Sequence, residues 1–122
     1  MFPSSLPKRY EGSGRWLIKI ISGLVIIFFL GLHYVVNHLV ASGGLLTYAD
    51  VVAYYQNPII PIMEIAFLAV VICHSFLGVR SILLDLHPSP TVMKIANLAL
   101  FTVGIAAIIY GTWLALTIAS RG

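Results

Sequence analysis

"IANLALFTVGIAAIIYGTWLALTIAS", residues 95–120, contains no aspartate, glutamate, lysine or arginine. Roughly 20 mainly apolar residues are enough for a helix to cross the ~30 Å hydrocarbon core of a bilayer. Such a helix bonds all of its own backbone groups, so it needs no polar face in lipid. Residues 20–49 lack the same four residue types. A third apolar stretch lies between these two and carries Glu64 and Arg80 near opposite ends. Across the chain of 122 residues, 60% are hydrophobic and 9% charged, with a mean hydropathy of +1.01. A soluble domain carries about 25% charged residues, so this chain has too little polar surface to stay in water. The sequence therefore predicts an all-α integral membrane protein. It is read as one membrane domain over residues 1–122, with three transmembrane helices at about 16–41, 59–86 and 92–119.

The breaks between spans have local causes. "ASGGLLTYAD" (41–50) interrupts the first apolar run, and "NPIIP" (57–61) opens the second span, since proline is tolerated in a first helical turn. "DLHPSP" (85–90) ends it, because two prolines cannot continue a helix and restrict the residues before them. No internal repeat, low-complexity tract or soluble domain is evident. The basic start resembles that of a cleaved signal peptide, but the apolar run exceeds the h-region of about 7–15 residues, and the first span is read as a retained helix.

Lys8, Arg9, Arg15 and Lys19 precede or open span 1, and Arg80 and Lys94 flank the turn between spans 2 and 3, leaving only Arg121 on the other side. The positive-inside rule then places the N-terminus and the second turn on the cytoplasmic or matrix side. The net charge of +3 reflects this topology and does not point to nucleic acid. Trp16 and Trp113 fit interfacial belts at opposite faces, and Trp113 also fits an inward position. Cys73, the only cysteine, is read as a small buried hydrophobe, and with no second cysteine the chain forms no internal disulfide.

An ionisable side chain inside a span implies a partner or a pathway. His33, His74, Arg80 and Asp85 are the ones that matter. At ~1.5 Å per residue, His74 falls in the cytoplasmic half of span 2 and His33 in the outer half of span 1, on the order of 10 Å apart in depth. At 100° per residue, His74, Gly78, Ser81 and Asp85 share a narrow stripe of polar or small residues that should face a helix bundle. Ser22, His33 and Asn37 lie near one face of span 1. A hydrogen bond to a neighbouring helix would satisfy His74, and so would a haem iron, for which histidine is a common axial ligand. Arg80 suits either snorkelling to the interface or pairing with an anion such as a haem propionate. His38 and His87 read as interfacial polar residues, and Asp50 and Glu64 as outer-surface groups.

"HSFLGVRSILLD" (74–85) fits His-x3-Gly-x-Arg-x4-Asp and resembles the membrane-anchor cytochrome b subunits of succinate dehydrogenase, the succinate:quinone oxidoreductase of respiration. "ISGLVIIFFLGLHYVVNH" and "YADVVAYYQNP" are similar to the family's first span and following loop, so the resemblance covers most of the chain. It implies a three-helix anchor that pairs with a second anchor subunit in a six-helix bundle holding haem b. Flavoprotein and iron–sulfur subunits would dock on the cytoplasmic face, and quinone would be reduced nearby. The chain itself would carry out no dehydrogenation. Residue by residue, the resemblance makes His74 the axial haem ligand. It places Arg80 near the propionates and quinone, Asp85 at the cytoplasmic helix end near quinone, and Ser22 near the quinone site. Some anchors hold a second haem on a first-span histidine, a position that His33 would match. Two departures stand out: Ile20 occupies the place of an arginine usual before Ser-Gly, beside Lys19, and Leu86 follows the aspartate where an aromatic residue is common. The membrane would be a prokaryotic cytoplasmic or a mitochondrial inner membrane. Two other readings stay open: a haem-free structural anchor, and a small transporter or channel subunit with His74, Arg80 and Asp85 along a polar pathway.

Overall fold

Helix α1 runs from Ser13 to Val35 and continues into a π-turn, Val36–Val40; α2 spans Tyr48–Tyr55, α3 Ile59–Asp85 and α4 Pro90–Ala119. The computed structural model describes residues 12–40, 43 and 47–122, and no strand occurs among them. Lys8 and Arg9 of the basic flank lie outside the described residues, as do positions 41, 42 and 44–46 of the first break. Three helices, Ser13–Val40, Ile59–Asp85 and Pro90–Ala119, are long and apolar enough to cross a membrane. At 1.5 Å per residue the last two are about 40 and 45 Å long, so each spans the hydrocarbon and reaches the headgroups.

The helix ends follow the sequence cues. Pro58 caps α3 and Pro61 sits in its first turn, where the missing N–H has no helical partner to lose. After Leu86, His87 takes a left-handed conformation (φ 53°), which turns the chain out of the helix before Pro88. The Ser89 hydroxyl accepts from Val92 N–H at 3.2 Å, and Pro90 occupies the first turn, so α4 starts two residues before its expected position. Helix α2 falls where a loop was expected. Its start is a reciprocal cap, in which Thr47 N–H donates to Asp50 Oδ2 (2.8 Å) and Asp50 N–H donates to Thr47 Oγ1 (3.2 Å). Asp50 thus has a structural task at the surface.

Helix α3 is the middle element, packing on α1 along one side and on α4 along the other, while α1 and α4 do not touch. The α3–α4 contact relies on small residues: a side-chain carbon at Gly104 would lie 3.3 Å from Ile72 Cγ2, and one at Gly111 would collide with Leu68 Cδ2. Phe29 stacks on Phe67 across the α1–α3 contact, with ring centroids 6.3 Å apart. The buried apolar residues, Ile60, Met63 and Ala115, gather where α2 lies against α3 and α4. There Gln56 Nε2 donates to the Val52 carbonyl (2.9 Å) and to that of Ala119 (3.3 Å), tying α2 to the end of α4. Elsewhere the layer is open, and large apolar side chains are exposed along all three long helices, Trp16 and Trp113 among them. Cys73 is also exposed, which corrects the buried position expected from its depth; it lines an open apolar groove between α1 and α3.

Candidate functional site

Polar contacts cross the antiparallel seam between α1 and α3 at several depths. At the end near Pro88, Lys19 Nζ donates to Ser81 Oγ at 2.9 Å. One turn further along α1, Ser22 Oγ lies 2.8 Å from His74 Nδ1, and in the half nearer α2 His33 Nδ1 lies 3.0 Å from Glu64 Oε1. Ser22 and His33 are eleven residues apart on one helix, which separates the two histidine sites by about 16 Å along its axis, more than the depth estimate from the sequence.

The Ser22 hydroxyl has one hydrogen, and it goes to the Lys19 carbonyl at 2.8 Å. The hydroxyl oxygen must therefore accept from His74, which makes Nδ1 the protonated nitrogen and leaves Nε2 with its lone pair. No described residue bonds to that Nε2. Ser22 is itself 9% exposed, so water does not compete for the arrangement. A side-chain carbon at Gly23 would lie 3.5 Å from His74 Cε1, and a glycine there brings α1 close to the imidazole. Beside the pair, Ile18, Ile21, Val25, Ala69, Val70 and Cys73 line an apolar groove of about 330 Å³. A side chain at Gly78 would meet open space, so no described residue crowds the helix face one turn from His74.

These features fit a haem iron. A metal-bound imidazole commonly donates its other N–H to an oxygen that fixes ring and tautomer, as Ser22 does here. Among the described residues no three His, Cys, Asp or Glu side chains gather as a metal cluster, and axial ligation requires only one from this chain.

Not all of the expected stripe is inward. His74 and Ser81 meet α1, whereas Asp85 is exposed at the helix end. Arg80 is partly buried, with its Nη1 out of solvent. Lys19, noted for the basic flank and for its place beside Ile20, supplies a cation at the seam through Ser81. Glu64 is no surface group: its side chain is 16% exposed and holds His33. Asn37, 6% exposed in the π-turn, places its amide nitrogen 2.8 Å from His33 Nε2 and 3.0 Å from Nδ1. The Phe67 ring packs 5.6 Å from the His33 ring. The Glu64 carboxylate also reaches the end of α2. Burial, then Glu64, then Tyr55 push the Tyr54 phenol up to about 12, and burial and Glu64 raise Tyr55 as well. The sequence cue for Glu64 was its place one turn inside a span, where a carboxylate needs a partner. His38 and Tyr34 pair on the outside of α1, with ring centroids 5.1 Å apart.

Residues 5–118 match the family described as the succinate dehydrogenase/fumarate reductase transmembrane subunit. The chain is 36% identical over 83 residues to the succinate dehydrogenase 2 membrane subunit of Mycobacterium tuberculosis, covering 68% of this chain and 60% of that one. It is 29% identical over 112 residues to the succinate dehydrogenase hydrophobic membrane anchor subunit of Thermoplasma acidophilum, covering 92% and 91% of the two chains. Its counterpart in Archaeoglobus fulgidus is 34% identical over 104 residues, covering 84% and 87%. No solved structure matches. With three apolar spans and relatives that are membrane anchors, the chain belongs to the succinate dehydrogenase/fumarate reductase transmembrane subunit family, as a membrane-anchor subunit.

Proposed function

We propose that this anchor binds haem b through His74 and serves electron transfer from the iron–sulfur subunit of succinate dehydrogenase to quinone. The observation that carries the reading is the Ser22–His74 contact: a buried hydroxyl holds Nδ1 and keeps Nε2 open as a donor. Haem b, when bound, supplies a one-electron store beside the path to quinone. The chain's own residues do the rest. Ser22 fixes the imidazole, Gly23 and Gly78 keep bulk away from it, and Lys19 and Arg80 place positive charge toward the Pro88 end, where propionates and quinone would be met. Asp85, exposed at that end, is available to the quinone site or to the docked iron–sulfur subunit.

A second anchor subunit completes the assembly. An open layer with exposed apolar faces suits half of a six-helix bundle; the partner would supply whatever further ligand the haem takes and most quinone contacts. Flavoprotein and iron–sulfur subunits bind at the Pro88 end. The basic residues there support, by the positive-inside rule, a cytoplasmic location of that end and of the N-terminus in a prokaryotic membrane, or a matrix location in a mitochondrial one. The dehydrogenation itself belongs to the partners.

The test is a reduced-minus-oxidised spectrum of the detergent-purified assembly, in wild type and His74→Gln. A b-type spectrum in the wild type that is lost in the variant, with the subunits still together, supports the reading. A quinone-active wild-type complex without haem leaves a structural anchor and removes His74 as a ligand.

A further inference from the structure

The face of α3 that carries Cys73 has a second groove, on the side of α4. Ile72, Cys73 and Phe76 of α3 and Phe101, Ile105 and Ile108 of α4 line an apolar cleft of about 220 Å³, with Phe101 and Ile105 exposed in it. Residues seven apart on a helix share a face to within about 20°. Lys94, Phe101 and Ile108 therefore form one stripe of α4, which puts an exposed lysine at the foot of the groove wall. Asn97, Gly104 and Gly111 form the neighbouring stripe, the one that meets α3 at Ile72 and Leu68. Asn97 Oδ1 is out of solvent and has no hydrogen-bond partner among the described residues, a costly state for a buried amide. No described carboxylate pairs with Lys94. Asp85 lies on the stripe of His74 that faces α1, and the first turn of α4 has no acid, so the positive end of its dipole adds to the lysine. Arg80, seven residues after Cys73, brings further positive charge to the α3 side at about that depth. At ~1.5 Å per residue, Lys94 is about 21 Å from Ile108 along α4, and Asn97 about 4.5 Å inside Lys94. One leaflet has a hydrocarbon depth of about 15 Å with headgroups beyond it, so the groove and its polar foot match a single leaflet. A partner helix would also fit the apolar walls, but a cationic foot between spans is what attracts an anionic headgroup.

We propose that the α3–α4 groove seats an anionic phospholipid of the leaflet at the Pro88 end, with its phosphate at Lys94, an ester carbonyl at Asn97 and one acyl chain along Phe101 to Ile108. The Asn97 amide, turned so that its N–H₂ points inward, donates to the ester. The lipid fills the cleft between α3 and α4 below their glycine contacts. This site is independent of the haem and quinone reading above.

The experiment incubates the detergent-purified assembly with an equimolar mixture of phosphatidylglycerol and phosphatidylcholine, and counts by native mass spectrometry the lipid that stays on this chain. Wild type should retain phosphatidylglycerol about fivefold over phosphatidylcholine, the effect of one lysine near a headgroup. Lys94→Gln should bring the two lipids level, and Lys94→Arg should keep the preference. Asn97→Leu should lower retention of both lipids without changing their ratio, because both carry the ester. Ile105→Trp, which fills the exposed groove, should remove the bound lipid. Equal retention of the two lipids by wild type would overturn the proposal, and that comparison stands even if a variant fails to assemble. So would a preference that survives Lys94→Gln. Ile105→Trp that keeps its lipid but sheds the second anchor subunit would assign the groove to a partner helix, and would overturn it too.

Discussion

His74 and His33 lie on equally apolar helices, and each ring is held across the seam through Nδ1, by Ser22 and by Glu64. Ser22 keeps Nε2 of His74 open by taking Nδ1, so the serine should matter to haem retention without touching iron. Replacing Ser22 with Ala removes the acceptor that sets the tautomer. Haem affinity should fall by about 10–100-fold, the usual cost of losing such a partner. Titrating stripped complex with hemin reads this directly, and unchanged affinity would detach Ser22 from the ligand. Tyr54 makes a second prediction. Its phenol holds its proton up to about 12 in the folded chain against 10.0 in the unfolded one, through burial, Glu64 and Tyr55. A raised value means that this stabilising contribution is complete below pH about 10 and disappears as pH climbs toward about 12. An ultraviolet alkaline titration should show a late phenol in wild type that titrates earlier in Glu64→Gln. A late phenol insensitive to that change would show that burial alone is responsible.

Elements depend on single positions at their ends and crossings. The α2 helix has eight residues, too few to persist without a cap and a surface to pack on, and Thr47 is that cap. Thr47→Val should cost about 1 kcal/mol of local stability, seen as faster amide exchange confined to α2. Exchange spreading into α3 would mean that α2 buttresses the bundle more than the cap alone explains. The α3–α4 crossing depends on Gly111 in the same way. A branched side chain there meets Leu68, so Gly111→Val should destabilise the complex by about 1–3 kcal/mol, as overpacking does. Adding Leu68→Ala should recover part of the loss. A double variant no better than the single would place the damage elsewhere.

The whole molecule is an unfinished layer. Its long helices leave Leu24, Ile27, Phe28, Leu98, Phe101 and Ile109 exposed, and its few buried apolar residues cluster at one end. Lipid can cover such faces; under the proposed function a second anchor subunit would cover the one beside His74. Expressed without the second anchor subunit, the chain should run as mixed oligomers on size exclusion in detergent and bind little haem. Co-expression should yield one discrete species with a stoichiometric haem. A monodisperse, haem-loaded single chain would show that the site is complete without a partner.

Sequence alone determined the membrane class, the three spans and most of their ends, because hydropathy and proline or serine caps act over a few neighbouring residues. Pro61, Pro88 and Ser89–Pro90 set boundaries that the structure keeps to within a turn. It also marked His74, Ser22 and the 74–85 motif through the family resemblance. Helix α2 was legible too, in the Thr47-x-x-Asp50 cap, but its apolar neighbours read as loop between two stronger spans. The tertiary structure decided which histidine nitrogen stays open, that Lys19 reaches Ser81, and that Glu64 leaves the surface to hold His33. Those contacts join residues 52, 62 and 31 apart in the chain. They depend on the rotation and depth of one helix against another, which glycine contacts, aromatic stacking and a π-turn set together and no local pattern encodes.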